Sequence, residues 1–311
     1  MAAAPPPGPL ASVTSTGGSI YDLGYQGYAG ARLGRTGAVT ALFWHTLRSA
    51  YGLGRSGRAK AAPFILGAIQ LLPAVIGVAI FVVAARAGDL QDEIAAASPI
   101  NYGFYHGLTS TIVLLFCAAQ APELMGRDQR YGVLPLYFSR PLRRVDYALG
   151  KAAGLVAALL ILVLLPQLVI FVGLVLLAEN PLAGLANEIP FLAPVLAQGV
   201  LTAGLLGSLA ALIAAYTPRR AYATAAIVAM AIIPPGIAQA LLAVDLDLPR
   251  SLVLMISPSL VLDGTNGFIF DLTPEFGIDI FEYGPEFVLG ALAWILGSLA
   301  FLARRYLRIT L

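Results

Sequence analysis

Apolar residues run almost unbroken through six stretches of the chain, at about 62–84, 103–122, 152–178, 190–216, 221–244 and 286–303. A transmembrane helix needs about 20 mostly apolar residues to cross roughly 30 Å of hydrocarbon, and each stretch reaches that length or nearly so. The second is the most polar, with Thr109, Ser110, Thr111 and Gln120 among its apolar residues. The fifth contains Pro234, Pro235 and Gly236, a sequence that kinks or breaks a helix. The pattern predicts an all-α integral membrane protein with a six-helix transmembrane domain over 62–311.

Two further segments carry a different periodicity. Over 38–52, Val39, Leu42, Phe43, Leu47 and Ala50 recur at helical spacing with Arg48 opposite and Trp44 and Tyr51 at the flanks. This predicts an amphipathic helix, lying either at the membrane interface before the first span or packed on the protein; the basic residues around it, which would meet anionic lipid, favour the interface. It belongs to a segment, 21–61, on the same side as the chain's N-terminus. Residues 245–285 are long, acidic and punctuated by Pro, Gly and Asn, with Phe268, Phe270, Phe276, Phe281 and Tyr283 scattered through them. They are expected to form either short re-entrant helices or a small acidic cap before the sixth span. Residues 1–20 are rich in Pro, Ala, Gly and Ser and have no basic stretch leading into an apolar one, so they predict a disordered tail rather than a signal peptide.

Composition agrees with a lipid solvent. Hydrophobic residues make up 59% of the chain and charged residues 12%, against about half and a quarter in soluble domains. The mean hydropathy is +0.82. The net charge of +2 gives no nucleic-acid footprint, but it hides a strong segregation. With six spans, every lysine and arginine except Arg86 and Arg250 falls on one side, and every acid except Asp22, Glu123, Asp128 and Asp146 falls on the other. Basic loops stay in the cytoplasm, so both termini are expected there. A different span count scrambles this separation.

Candidate chemistry is sparse. The single cysteine, Cys117, sits in an apolar run and supports neither an intrachain disulfide nor a metal cluster. His45 and His106 are predicted on opposite sides of the membrane. Gly52, Gly54 and Gly57 lack the lysine–serine pair and preceding strand of a phosphate loop, so the chain is expected to carry no ATPase site or other cofactor of its own. Among the polar residues within the spans are five glutamines, Gln70, Gln120, Gln167, Gln198 and Gln239. Gln70, Gln198 and Gln239 are candidates for a translocation path, although a glutamine in a span is more often a bond between helices. Charged residues are missing from the middle of every span, which argues against a proton- or sodium-coupled carrier. Pro234 and Pro235 form either a static kink or a gating hinge. Gly150 and Gly154 permit a close helix approach at the start of span three.

The loop between spans two and three holds the most specific pattern: Asp128, Gly132 and Leu134, then Ser139-Arg140-Pro141-Leu142, then Tyr147 with Gly150-Lys151. It resembles the membrane subunits of ABC-2 type transporters, with Asp128 where that family often has Glu. The stretches 21–35 and 51–60 are similar to actinobacterial permeases of this type, and the resemblance extends over nearly the whole chain. It implies a bacterial plasma-membrane exporter in which two six-helix subunits, identical or related, sit on two ATPase subunits that hold ATP and Mg²⁺. It further implies that the loop couples the two parts, with Glu123, Arg127, Asp128, Arg130, Gly132, Arg140 and Pro141 as its coupling residues. Of these, Arg127, Asp128 and Arg130 are expected to make charge-assisted contacts with the ATPase and Gly132 to allow a tight helix end. The rival readings are a secondary transporter and a membrane scaffold with no path of its own.

Overall fold

In a computed structural model, residues 30, 33–84, 102–178, 180–217, 219–244, 249–272 and 284–309 are described. The chain divides at Leu33 into two units; the first, with the expected N-terminal tail, lies almost wholly outside the described residues. Among the described residues, every element of the second is a helix. Six are long and apolar enough to cross a membrane, as in a multi-pass membrane protein. These are α2 (Gly57–Ala84), α3 (Tyr102–Arg130), α5 (Arg144–Leu177), α6 (Pro181–Tyr216), α7 (Arg220–Ala243) and α10 (Gly284–Leu307). Between them lie α1 (Gly34–Ala50), α4 (Leu134–Phe138), α8 (Arg250–Leu254) and α9 (Pro258–Phe270).

Several spans start earlier than their apolar runs because local capping extends them. Asp146 reaches back to the Arg143 N–H (3.1 Å) at the head of α5, satisfying a donor that a helix N-terminus leaves free. Asn180 accepts from the Leu182 N–H (3.0 Å) with Pro181 at the first helical position of α6. Pro166, Pro190, Pro194, Pro234 and Pro235 all sit inside spans. α7 runs unbroken through its proline pair, so the break allowed by the sequence does not occur. Neighbouring helices and lipid leave such a helix no better arrangement for its other backbone groups.

α5 and α6 pair along their length at the centre, and α10, α2, α3 and α1 pack around them. One core gathers Leu42, Phe116, Met125, Tyr147, Leu155, Leu302 and Tyr306, and others form around Leu205 with Phe287 and around Tyr105 with Ile170. α2 and α7 are peripheral and turn Phe64, Ile65, Leu72, Ile232 and Ile233 outward, the residues a lipid-facing surface requires.

α1 covers Gly34–Ala50, beginning before the stretch 38–52 in which a helix is expected and ending two residues short of its end. Its buried stripe, Leu42, Leu47 and Ala50, packs on the protein core while Trp44 is exposed. The face made by Gly150 and Gly154 is filled by this helix. A Cβ at Gly154 would stand 2.7 Å from Thr46 Cβ and 3.1 Å from the Phe43 carbonyl oxygen. Arg35 forks onto Asp146 at 2.6 and 2.7 Å, and the Tyr51 hydroxyl donates to the Ala158 carbonyl at 2.7 Å.

Of the segment 245–285, the described part contains α8 and α9. Ser257 caps α9 (3.3 Å to the Leu260 N–H). Asn266 on α9 donates to the Gly103 carbonyl (2.9 Å) and Trp294 of α10 donates to the Met255 carbonyl (3.0 Å). Both short helices are therefore anchored to the spans. The acids Asp245, Asp247, Glu275, Asp279 and Glu282 lie outside the described residues, as does 85–101.

Candidate functional site

The loop between α3 and α5 is built from the irregular end of α3. Pro122 has no N–H to give to the helix ladder, and from Pro122 to Gly126 the backbone widens into a π turn. The helix resumes over Arg127–Arg130 and stops at Gly132, whose φ of 64° is readily open only to glycine. Val133 N–H bonds the Asp128 carbonyl (3.1 Å) and Gly132 N–H the Gln129 carbonyl (3.3 Å), the paired bonds that close a helix C-terminus. The chain then makes the short helix α4, turns at Pro141 and enters α5.

This path turns Asp128 inward. Lys151, on the second turn of α5, is nearly fully buried and donates to the Asp128 carboxylate and the Leu124 carbonyl, both at 2.5 Å. The Tyr147 hydroxyl donates to the same carboxylate oxygen (2.7 Å). Aromatic rings enclose the pair: Tyr147 lies 5.1 Å from Tyr137, 5.8 Å from Phe138 and 5.4 Å from Tyr306 between centroids. Lys151 Nζ stands 5.1 Å from the Tyr147 ring centre, within cation–π range. Partial burial and the Asp128 charge raise the Tyr137 pKa, so its hydroxyl remains protonated at neutral pH. Gln129 donates to the Tyr306 hydroxyl (2.9 Å), and Arg144 donates to the Leu307 and Ile309 carbonyls (3.2 and 2.8 Å). These bonds tie the loop to the end of the last span.

The other loop and path candidates divide into four groups. Glu123 pairs with Arg220 at 3.1 Å, joining α3 to the head of α7. Arg127, Arg130, Arg140 and Pro141 are exposed, together with Tyr131 and Leu136. Gln70 and Gln198 are buried, with no hydrogen-bond partner for either side-chain amide among the described residues. Gln239 instead lies on an exposed face of α7, away from that interior setting. Sequence reasoning assigned no role to Lys151, Tyr147, Gln129 or Tyr306. Lys151 had two usable signals, its place at the end of the motif and its position inside the first turns of an apolar span, where an unpaired charge is costly.

Two cavities border this loop. One, of about 840 Å³, lies between α1 and the loop and reaches Asp128 and Lys151. The second, of about 480 Å³, is lined by Arg55, Ser56, Ala59, Glu123, Arg127, Arg130 and Tyr131. Partial burial and the neighbouring Arg127 charge lower the Arg55 pKa. A third cavity, of about 370 Å³, opens between α5 and α6 among Leu160, Leu164, Phe171, Phe191 and Val195, with Tyr102 and Gln167 as its polar members.

No protein-family model matches the chain, and a search of curated proteins finds no match to it.

Proposed function

We propose that the chain is the membrane-spanning subunit of an ATP-driven transporter of the ABC-2 type, exporting an amphipathic or lipid-like substrate through a bacterial plasma membrane. It works as one of two such subunits on a pair of separate ATPases, with both of its termini in the cytoplasm. The observation that carries this reading is the union of Asp128 and Lys151. They are the first and last charged positions of the motif that resembles this family, and they meet in one buried ion pair. The pair gives the loop a fixed base, while Tyr131, Leu136 and Arg140 remain turned outward.

That division assigns the residues to two tasks. Asp128, Lys151 and Tyr147 hold the loop's shape and transmit its movement to α3, α5 and α10. Leu136 and Arg140 meet the ATPase, Leu136 as an exposed apolar side chain on α4 that a partner's groove would cover. The apolar cavity between α5 and α6 suits a substrate with hydrocarbon chains, and α8 and α9 form re-entrant helices that close the outer end.

Co-expression with an ABC-type ATPase from the same genome, followed by purification through a tag on the permease, tests the reading. Leu136→Glu with Arg140→Glu is expected to weaken association by about tenfold or more, as for removal of an interface anchor. The variant should still elute from a sizing column as wild type does, since both side chains are exposed. If no ATPase is retained by the wild type in nanodiscs, the transporter reading loses its requirement for a partner. A gradient-driven carrier, whose transport survives loss of any ATPase, or a scaffold would then replace it.

A further inference from the structure

The 480 Å³ cavity holds more positive charge than its own acids neutralise. Arg55, Arg127 and Arg130 converge on it. Glu123 and Asp128 are the acids nearby, and each is already engaged: Glu123 by Arg220 at 3.1 Å, and Asp128 by Lys151 at 2.5 Å. None of the three arginines makes an ion pair among the described residues. Arg127 and Arg130 instead flank the Tyr131 ring, at 5.9 and 5.8 Å from its centre, which orients their guanidinium groups without neutralising them. Holding like charges together has a cost that a bound anion removes.

The cavity's setting narrows the choice of anion. Ser56 and Ala59 bring the first turn of α2 to its wall, adding the positive end of a 28-residue helix. Along the same helix, Phe64 and Ile65 are exposed apolar residues; they begin about 8 Å from Ala59 at 1.5 Å rise per residue. The arginines therefore stand where hydrocarbon gives way to water, the level of lipid headgroups. The volume is that of a small-molecule site, and the forked guanidinium matches phosphate oxygens two at a time.

We infer that Arg55, Arg127 and Arg130 form a site for the phosphate of an anionic lipid headgroup at the basic end of the bundle. The bound lipid braces the turn between α1 and α2 against the end of α3. This inference is independent of the transporter reading, and its lipid-binding test uses the chain without an ATPase.

The probe is short-chain phosphatidic acid, titrated into the delipidated full-length protein in mild detergent and followed by native mass spectrometry. Phosphatidylcholine of the same chain length and inorganic phosphate run in parallel. Wild type is expected to bind phosphatidic acid saturably and more tightly than phosphatidylcholine. Each of Arg55→Gln, Arg127→Gln and Arg130→Gln should weaken that binding by about tenfold, the loss of one charge-assisted contact. Arg58→Gln, which removes an exposed charge that does not line the cavity, should leave it unchanged. Weaker binding at high salt is part of the expectation. Binding that is the same in wild type and all three cavity variants overturns the site. Inorganic phosphate bound as tightly as phosphatidic acid overturns the lipid as its source. If the variants keep lipid binding but lose a co-expressed ATPase, the arginines serve a partner's carboxylates and the inference fails.

Discussion

Lys151→Met is expected to lower the chain's stability by about 3–5 kcal/mol, the usual effect of removing one member of a buried ion pair. The side chain leaves behind the Asp128 carboxylate, only 14% exposed, and the Leu124 carbonyl that Lys151 also satisfied. The effect belongs to the orphaned charge rather than to the lost attraction. Adding Asp128→Asn therefore restores most of the stability, since asparagine is neutral and still accepts from Tyr147. Reversible unfolding in mixed micelles of mild detergent and dodecyl sulfate reads both variants. A single-variant loss below about 1 kcal/mol, the size of a surface pair, would show that water reaches the carboxylate and that the loop has no fixed base. Restored stability need not restore transport: the double variant tests separately whether the loop must be charged to transmit movement.

Gly154→Ala is the second large effect, and it acts on a different joint. The added methyl would stand 2.7 Å from Thr46 Cβ and 3.1 Å from the Phe43 carbonyl oxygen. Neither atom is the end of a flexible side chain, so α1 must move away from α5. Overpacking of this kind costs about 1–3 kcal/mol. Gly150→Ala, whose methyl would meet the Leu42 side chain at 3.3 Å from Cδ2 and 3.8 Å from Cγ, should cost less because that side chain can turn aside. Trypsin cleavage at Arg48 and Arg55 in detergent provides the readout: faster cutting is expected for Gly154→Ala than for Gly150→Ala or wild type. Equal rates in all three would mean that α1 is not held by this face.

The six spans were legible because a helix in lipid has to be apolar over its full crossing length, and only six stretches satisfy that. Their starts were less legible. The head of α5 lies at Arg144 rather than 152 because Asp146 caps it, a polar interaction that a hydropathy pattern reads as loop. The site was half legible. The pattern around Asp128 marked the loop, and the φ of Gly132 fits the tight end anticipated there. The inward turn of Asp128 was hidden, because its partner Lys151 lies on another helix and the relative angle of the two is set by backbone irregularity. The glutamines show the same limit. Gln70 and Gln239 look alike in sequence, yet one faces the interior of α2's packing and the other the open side of α7. Polarity within a span signals a constraint but not a direction.

The wide turn at Pro122–Gly126 sets the phase of everything after it. In a regular helix each residue advances the azimuth by about 100°, and a π turn accommodates one residue more than an α turn does. Residues Arg127–Arg130 are therefore about 100° out of step with the membrane-embedded part of the same helix. Deleting one residue from this turn lets a regular helix carry Asp128 to the same side, toward Lys151, whereas making the turn regular at its present length swings Asp128 away. A regular α3 of the present length is thus a misaligned one, and the wide turn aims the whole loop by absorbing one residue rather than through any single contact.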